Sequence, residues 1–236
     1  MRHVVGLSGG KDSVALALRL QERGEQDFEF LCTPTGDELP EMFAWWGRLE
    51  VILGKPLIRV NNPKAPTLKH LIQIQNALPN HRQRWCTRLL KIEPTIAWCV
   101  KNAPVTMYVG LRADESEREG IYGDYVWSKF PFREWGWGID HVWLYLSMKG
   151  LDGCIPERTD CARCYAQRLV QWKSLWVNHP DIYEDACQDE DNTGRTFRSA
   201  KRDTWPAGLR ALAKEFASGR GLRGEKHTTP CRVCSL

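Results

Sequence analysis

The feature that most constrains the fold is a short apolar run that passes through a glycine-rich turn into a helical pattern. Val4 and Val5 form the apolar run, and the residues after them are Gly-Leu-Ser-Gly-Gly-Lys-Asp-Ser. Apolar residues at helical spacing then occupy residues 14–23, and Gly24 ends the pattern. The sequence therefore predicts a strand, a turn and a helix in direct succession, which is typical of an α/β domain.

The glycine turn has the chemistry of an anion-binding loop. Gly9 and Gly10 lack Cβ atoms, so that backbone N–H groups can approach a phosphate closely. The first N–H groups of a helix are unpaired and carry partial positive charge. Lys11 adds a full charge, and Ser8 and Ser13 add hydroxyl donors. The combination predicts that phosphates bind between the first strand and the first helix.

The turn does not have the Walker A spacing, because Asp12 follows Lys11 and no glycine stands at the required earlier position. Residues 8–13, Ser-Gly-Gly-Lys-Asp-Ser, instead resemble the pyrophosphate loop (PP-loop) of the N-type ATP pyrophosphatases. Members of that superfamily bind ATP at the end of the first strand and release pyrophosphate while they adenylate a substrate. The resemblance implies the same site in this chain.

Strand and helix patterns alternate over the first half of the chain. The patterns are strands at residues 28–32, 57–60 and 106–110, and helices at residues 41–53 and 88–101, the latter interrupted by Pro94. The alternation predicts an α/β fold with a doubly wound, mostly parallel, Rossmann-like sheet of the PP-loop ATPase type. Because ligands of such sheets bind outside the carboxyl ends of the strands, the loops at residues 8–13 and 33–38 are expected to face one pocket.

The rest of the chain predicts fewer regular elements. Residues 61–87 are polar and irregular, and helices are expected at residues 140–149, 163–179 and 207–217. We expect residues 1–150 to form a PP-loop nucleotide-binding α/β domain. Residues 151–236 are expected to form a cysteine-containing helical region, with a basic C-terminal extension, that completes the site.

Composition indicates a globular protein without a membrane segment. The chain has 236 residues, 42% of them hydrophobic, and a mean hydropathy of −0.45. No apolar run approaches the roughly 18 residues of a membrane span, and a strand that begins so near the N-terminus leaves no room for a signal peptide. We therefore expect a cytoplasmic protein with no membrane partner. Nine cysteines in that compartment favour ligands or redox groups over structural disulfides.

Five segments, in order, resemble the phosphoadenylyl-sulfate (PAPS) reductase family, a branch of the same superfamily. Together they span residues 8 to 164, about two thirds of the chain. The segments are residues 8–13, Pro-Thr-Gly-Asp-Glu-Leu-Pro-Glu at 34–41, Arg-Trp-Cys-Thr-Arg-Leu-Leu-Lys at 84–91, Gly-Leu-Arg-Ala-Asp-Glu-Ser at 110–116, and Cys-Ala-Arg-Cys at 161–164.

The resemblance implies roles for several polar residues. The 8–13 loop would hold the phosphates of ATP or the phosphosulfate of a sulfonucleotide, with Asp12 near them through Mg²⁺. Lys11, Asp12 and Arg112 are the implied catalytic residues. The implied nucleotide-binding residues are Ser8, Gly9, Gly10, Lys11, Asp12, Ser13, Asp37, Glu38, Arg88, Lys91 and Arg112. Arg88, Lys91 and Arg112 could alternatively be ordinary surface cations.

Four cysteines form a candidate metal-binding set. Cys161-x-x-Cys164 is intact, Cys154 lies seven residues before it, and Cys86 stands where cluster-bearing sulfonucleotide reductases have a Cys-Cys pair. Four thiolates suit a [4Fe–4S] cluster or a tetrahedral Zn²⁺, and spacing alone does not separate the two. The set also resembles that of DNA-phosphorothioation and tRNA-thiolation enzymes, in which a cluster beside the ATP loop carries sulfur. Unliganded thiols are the alternative.

A second pair, Cys231 and Cys234, stands near the end of the sequence. Sulfonucleotide reductases have a single nucleophilic cysteine there, within a Glu-Cys-Gly-Leu-His segment that this sequence does not contain. The pair is a candidate redox or sulfur-carrying group. It could instead supply metal ligands in place of Cys154, or it could have no role. The cysteines expected to be ordinary core residues are Cys32, Cys99 and Cys187.

The C-terminal region is basic. Between Arg195 and Arg232, ten Lys or Arg residues face three acids, a local balance of +7 in a chain whose net charge is +4. Such a region favours a polyanionic partner, although a solvated helix face has the same composition. Phe197, Trp205 and Phe216 lie among these cations and would either stack on bases or belong to the core.

Three functions are therefore open. The first is a PP-loop ATP pyrophosphatase that adenylates a nucleic acid or nucleotide and supports sulfur transfer through a cysteine-bound cluster, with a sulfur-donor protein as partner. The second is a sulfonucleotide reductase that releases sulfite with a thioredoxin-like partner. The third is a nucleotide- or nucleic-acid-binding regulator that has lost catalysis.

Overall fold

A parallel five-stranded sheet forms the centre of the computed structural model, which describes residues 1–118, 122 and 126–222. The strand order is β3-β2-β1-β4-β5, and every neighbouring pair is parallel. The strands are β1 Arg2–Gly6, β2 Phe28–Cys32, β3 Leu57–Arg59, β4 Val105–Tyr108 and β5 Trp127–Lys129. The predicted α/β fold is confirmed. Because the order reverses at β1, the crevice at its carboxyl end is where such sheets bind ligands.

Helices occupy most of the connections between the strands and the region after them. They are α1 Lys11–Arg23, α2 Pro40–Leu53, α3 Leu68–Gln75, α4 Trp85–Thr87, a π-helical segment Arg88–Ile92, α5 Glu93–Lys101, α6 Pro131–Glu134, α7 Ile139–Met148, α8 Leu169–Asn178, α9 Pro180–Thr193 and α10 Leu209–Ala217. The helical run predicted at residues 88–101 changes type beside Pro94, where the interruption was expected. Pro94 lies in the first turn of α5, and the π turn before it bonds the Glu93 N–H to the Arg88 carbonyl.

Four of the described helices were not predicted, the short α4 and α6 and the longer α3 and α9. Helix α3 lies within residues 61–87, where Thr67 caps it and Leu68, Leu71 and Ile72 form its buried face. Helix α9 is acidic on its outer side, so that its apolar periodicity is weak in the sequence. The helix predicted at residues 163–179 begins only at Leu169, because the residues before it belong to a loop that carries two of the cysteines.

Three apolar clusters hold these layers together. Helices α1, α2 and α7 pack on one face of the sheet around Leu16 and Leu49, and α5 packs on the other face around Met107. The third cluster joins α3 and the π-helical segment to α8, α9 and α10, with Trp172 fully buried at its centre. Burying a large apolar side chain stabilises the fold by roughly 1.5–3 kcal/mol.

None of the described helices combines the length and the apolar character needed to cross a bilayer.

Candidate nucleotide and cysteine site

The phosphate loop, residues 8–13, joins β1 to α1 at the point where the strand order reverses. Gly9 has a φ of +89°, and a Cβ there would lie 2.9 Å from both Met42 Cε and Trp46 Nε1. Ser13 Oγ donates to the Gly10 carbonyl at 2.9 Å and closes the turn. Gly9 is therefore required both by the backbone conformation and by the close approach of α2.

Two tryptophans of α2 bind the carbonyl groups of the phosphate loop. Trp45 Nε1 donates to the Gly9 carbonyl at 2.8 Å, and Trp46 Nε1 donates to the Ser8 carbonyl at 3.1 Å. These hydrogen bonds occupy two carbonyl oxygens whose partial negative charge would repel a phosphate. Sequence reasoning missed both residues, although an adjacent tryptophan pair in the helix after β2 was a visible signal.

Lys11, Asp12 and Arg112, the three implied catalytic residues, lie together. Arg112 Nη1 donates to Asp12 Oδ1 at 3.0 Å, and Lys11 Nζ donates to Asp12 Oδ2 at 2.7 Å. Arg112 Nε also donates to Asp114 Oδ1 at 2.9 Å. Burial lowers the pKa of Arg112, but the Asp12 carboxylate and the neighbouring acids raise that pKa by more. The guanidinium is therefore charged, and both Asp12 oxygens are bound by cationic groups.

Asp37 and Glu38 face different surroundings. The Asp37 carboxylate accepts from the backbone N–H of Arg163 at 3.1 Å and from its Nε at 2.6 Å, and Arg163 Nη1 also donates to Asp189 Oδ2 at 2.7 Å. This buried ion network ties Asp37 to the loop of Cys161 and Cys164. Asp37 is thus bound to Arg163 and is not among the residues that line the cavity beside Glu38, whereas the resemblance implied a place on the nucleotide side.

Glu38 lines a cavity at the carboxyl ends of β1 and β2, here called the strand-end cavity. Its Oε1 accepts from the Thr35 N–H at 2.7 Å and the Thr35 hydroxyl at 2.6 Å. Its Oε2 is buried and has no hydrogen-bond partner in the part of the chain that the structure describes. Lys91 and Tyr122 line the same cavity, so that a carboxylate and a cation both border the place where a nucleotide is expected.

The cavity is closed by residues 153–164, here called the cysteine loop. Its volume is about 40 Å³, far below the roughly 300 Å³ or more of typical small-molecule sites. Thr159 and Cys161 of the cysteine loop line it, and Thr159 Oγ1 lies 3.3 Å from the position of a Cβ on Gly10. In this conformation the cavity is therefore too small to hold a nucleotide.

Three of the four candidate ligand cysteines lie against the same core. Cys164 belongs to the cluster formed by α3 and α8 to α10, and Cys86 and Cys161 pack against it. Cys161 Sγ also lies 3.3 Å from Thr35 Oγ1, at the edge of the strand-end cavity. Cys154 packs instead against the cluster under α1 and α2, and Arg48 Nη2 approaches its Sγ at 3.5 Å.

The described residues contain no preassembled metal site. Among residues 1–118, 122 and 126–222, no group of three or more His, Cys, Asp or Glu side chains is arranged to hold a metal ion. Cys32, Cys99 and Cys187 are buried, as was predicted for ordinary core residues. Burial raises the pKa of Cys32 to about 12, of Cys99 to about 11 and of Cys187 to about 12. These three thiols stay neutral at ordinary pH.

Arg88 does not accompany Lys91 at the strand-end cavity. Arg88 is bound to Glu93 at 2.9 Å, and 64% of its side chain is exposed. It lines an open groove of about 630 Å³ on the outer surface. The residues of this groove, here called the arginine groove, are Gln75, Ala77, Gln83, Arg84, Trp85, Arg88 and Arg195.

Three cations of the basic C-terminal region, Arg198, Arg210 and Arg220, are bound to carboxylates in the part of the chain that the structure describes. Arg198 is buried and bound to Asp203 at 2.8 Å, and Arg210 binds Glu184 and Asp191. Phe197 and Phe216 are buried, which confirms their core alternative. Trp205 is partly exposed, and Arg220 lies 4.2 Å above its ring. Cys231 and Cys234 lie outside the described residues.

Comparison with known proteins agrees with this geometry. Residues 2–154 match the family profile of the phosphoadenosine phosphosulfate reductase domain. This match covers more than half of the chain, and the chain therefore belongs to the PAPS reductase-like family of the PP-loop superfamily. No curated protein matches the chain in sequence.

Two solved structures share the fold. Phosphoadenylyl-sulfate (PAPS) reductase from Candida auris, in a phosphate complex, is 11% identical with a TM-score of 0.52, over 64% of this chain and 73% of that chain. The U34-tRNA thiolase NcsA from Methanococcus maripaludis, with its [4Fe–4S] cluster, is 14% identical with a TM-score of 0.51, over 100% of this chain and 76% of that chain.

Proposed function

We propose that this protein is a PP-loop ATP pyrophosphatase that adenylates an acceptor, a nucleic acid or nucleotide, and supports the transfer of sulfur to it. The observation that carries the proposal is the assembly at the carboxyl end of β1. Ser8 of the phosphate loop and Cys161 line one cavity there, and Lys11 and Asp12 of the same loop join Arg112 in a charged array. We therefore infer that the phosphates and the sulfur are held side by side.

The proposed reaction has two steps. An oxygen of the acceptor attacks the α-phosphorus of ATP, the bond to the bridging oxygen breaks, and pyrophosphate leaves. A sulfur at the oxidation level of sulfide then bonds to the acceptor carbon, and AMP leaves with the acceptor oxygen. The exchange needs neither oxidant nor reductant. Lys11 stabilises the negative charge of the phosphates. Asp12 positions the Lys11 ammonium group, and Arg112 positions Asp12.

Magnesium is proposed to enter with the nucleotide. Each oxygen of Asp12 accepts from a cationic side chain, and the positive charge of Lys11 and Arg112 disfavours a metal ion at that carboxylate. Mg²⁺ commonly keeps several water ligands and binds through substrate phosphates with few protein ligands. The buried Glu38 Oε2, which has no partner within the described ranges, is the carboxylate oxygen best placed to meet such an ion.

Cys86, Cys161 and Cys164 are the proposed ligands of a [4Fe–4S] cluster, or of Zn²⁺. Soft thiolates suit either group, and these three lie around one core, whereas Cys154 packs elsewhere. The fourth ligand is proposed to come from Cys231 or Cys234. When bound, the group supplies a soft site that holds sulfide until transfer. The chain's own part is to keep Cys161 beside the nucleotide crevice through the Asp37–Arg163 pair.

The arginine groove supports a nucleic acid as the acceptor. It is lined by three arginines, of which Arg88 is bound to Glu93, and by one tryptophan. Arginines bind phosphates and an aromatic side chain stacks on bases, which is the usual chemistry of single-strand binding. Trp85 is adjacent in sequence to Cys86, so that a strand in this groove would pass close to a proposed sulfur ligand.

The test is incubation of the anaerobically purified protein with ATP, Mg²⁺, sulfide as the sulfur donor, and transfer RNA, DNA or mononucleotides, with assay of pyrophosphate and AMP. We expect an acceptor-dependent release of both products. Lys11→Ala is expected to reduce the rate by roughly 100-fold or more, while the exposed Lys64→Ala is expected to leave it unchanged. ATP binding without turnover in the presence of every acceptor would overturn the proposal and favour a regulator.

The second candidate is a sulfonucleotide reductase, favoured by the structural similarity to the Candida auris PAPS reductase. This activity requires a nucleophilic thiol near the bound sulfate, and Cys231 or Cys234 is the proposed source. Release of sulfite from PAPS with thioredoxin, lost in the Cys231→Ser/Cys234→Ser double variant, would favour it. Absence of sulfite release together with acceptor-dependent pyrophosphate would exclude it.

A further inference from the structure

A second cleft, separate from the strand-end cavity, lies between α2 and α8. Its volume is about 440 Å³, within the range of small-molecule sites. Trp45 and Leu175 contribute apolar surface. Gln171, Ser174 and Asn178 of α8 line the opposite wall at spacings of three and four residues, which places their polar groups on one face of the helix. Residues 153–158 of the cysteine loop form its edge.

Arg158 of this cleft is a buried cation without a counter-ion. Arg112, Arg163 and Arg198, which are also buried, each bind at least one carboxylate. Arg158 is 8% exposed and binds no carboxylate of the described residues. Its Nη2 donates to the Cys161 carbonyl, whereas its Nε and Nη1 are buried with no hydrogen-bond partner in the described chain. A desolvated, unpaired charge of this kind is costly.

The other charges of the cleft do not compensate Arg158. Glu41 is bound to His179 Nε2 at 3.0 Å, and Glu157 is the residue next to Arg158 in the loop. Arg48 adds a second guanidinium, whose Nη2 lies 3.5 Å from Cys154 Sγ. The cleft therefore holds two arginines, and neither of its two carboxylates lies within ion-pair distance of either arginine.

We propose that this cleft binds a small phosphate ester, with its phosphate on Arg158 and its polar body against Gln171, Ser174 and Asn178. Phosphate supplies the negative charge and the acceptor oxygens that the Arg158 donors lack. The hydroxyl and amide groups of α8 suit a body that carries hydroxyl and carbonyl groups, as a nucleoside does. This site is additional to the nucleotide crevice and does not depend on the function proposed above.

The test measures binding of radiolabelled uridine 5′-monophosphate (UMP) by equilibrium dialysis, in the presence of saturating α,β-methylene-ATP to fill the phosphate-loop crevice. We expect one equivalent of UMP to bind, and uridine without the phosphate to bind at least ten-fold more weakly. Arg158→Gln is expected to weaken UMP binding at least ten-fold. Ser174→Trp, which fills the cleft from α8, is expected to abolish it.

The matched control is Val177→Trp, on the same helix but outside the cleft and 59% exposed. It is expected to bind UMP as the unaltered chain does. Circular dichroism of each variant separates loss of binding from loss of folding, and Ser174→Trp keeps the test valid if Arg158→Gln does not fold. Equal binding of UMP and uridine, or UMP binding unchanged in folded Ser174→Trp, would overturn the proposal. No turnover is measured, so failure here is distinct from failure of the proposed ATP chemistry.

Discussion

The Asp37 carboxylate accepts hydrogen bonds from both the backbone N–H and the side-chain Nε of Arg163, at 3.1 and 2.6 Å. The two residues are 126 positions apart in the chain, and Arg163 stands between Cys161 and Cys164. The pair therefore fixes the cysteine loop to the loop that follows β2. This attachment holds the Cys161 thiol against Thr35, at the edge of the nucleotide crevice.

Replacement of Asp37 tests this attachment. Asp37→Ala leaves the buried Arg163 without its main partner, which typically costs about 3–5 kcal/mol. We expect a loss of that order in the free energy of unfolding measured by urea denaturation. The control is Asp185→Ala, which removes a carboxylate bound to Lys69 on the surface, with both side chains more than 40% exposed. Such an exposed pair contributes at most about 1 kcal/mol, and similar losses in the two variants would contradict a structural role for Asp37.

Gly9→Ala tests the geometry of the phosphate loop. The new Cβ would lie 2.9 Å from Met42 Cε and Trp46 Nε1, at a residue whose φ is +89°. We expect the free energy of unfolding to fall by about 1–2 kcal/mol from the backbone conformation alone and nucleotide binding to be lost. Both are measurable by urea denaturation and by calorimetry with ATP.

The matched control for Gly9→Ala lies in α2. A Cβ on Gly47 meets nothing within 4 Å, and its φ is not positive. Gly47→Ala is therefore expected to stabilise the protein by roughly 0.5–1 kcal/mol through helix propensity and to bind ATP normally. ATP binding retained by Gly9→Ala would show that the loop does not need its observed conformation.

The sequence was sufficient for the parts of the site that depend on local chemistry. Gly9, Lys11 and the strand before them predicted the phosphate loop, because a turn between a strand and a helix is encoded by neighbouring residues. The role of Asp37 was not predictable, since its partner Arg163 is distant in the chain and only the folded packing brings the two together. Cys154 matched the expected spacing of a ligand, but spacing carries no information about which core a thiol packs against.

Glu190 gives a pH dependence to stability. Burial raises its pKa from 4.5 to about 7, although the Phe197 and Leu209 N–H groups donate to it at 2.9 and 2.6 Å. Between pH 4.5 and about pH 7, the Glu190 carboxyl holds a proton in the folded state but not in the unfolded state. The contribution of Glu190 to stability therefore falls as pH rises.

Glu190→Gln isolates that contribution, because glutamine does not titrate. The stability of the unaltered protein relative to the variant is expected to fall by on the order of 3 kcal/mol between about pH 4 and pH 8. Urea denaturation at several pH values measures it. A difference that stays constant over this range would mean that the folded-state pKa of Glu190 is not raised.

The cysteine variants distinguish the proposed ligands from their neighbour. After anaerobic purification, Cys86→Ser, Cys161→Ser and Cys164→Ser are each expected to lose most bound iron or zinc, because each removes one thiolate from the same set. Cys154→Ser is expected to retain the metal, since its thiol packs against a different cluster. Elemental analysis and visible absorbance measure this, and equal loss from Cys154→Ser would return that residue to the ligand set.

The most direct test of the adenylation chemistry is the isotopic composition of the AMP formed in water enriched in ¹⁸O. With ATP, Mg²⁺, sulfide and a nucleic acid acceptor, we predict AMP without ¹⁸O, because the oxygen that enters the α-phosphate comes from the acceptor. AMP that carries one ¹⁸O from the solvent would show that water attacks ATP directly, and would contradict adenylation of an acceptor.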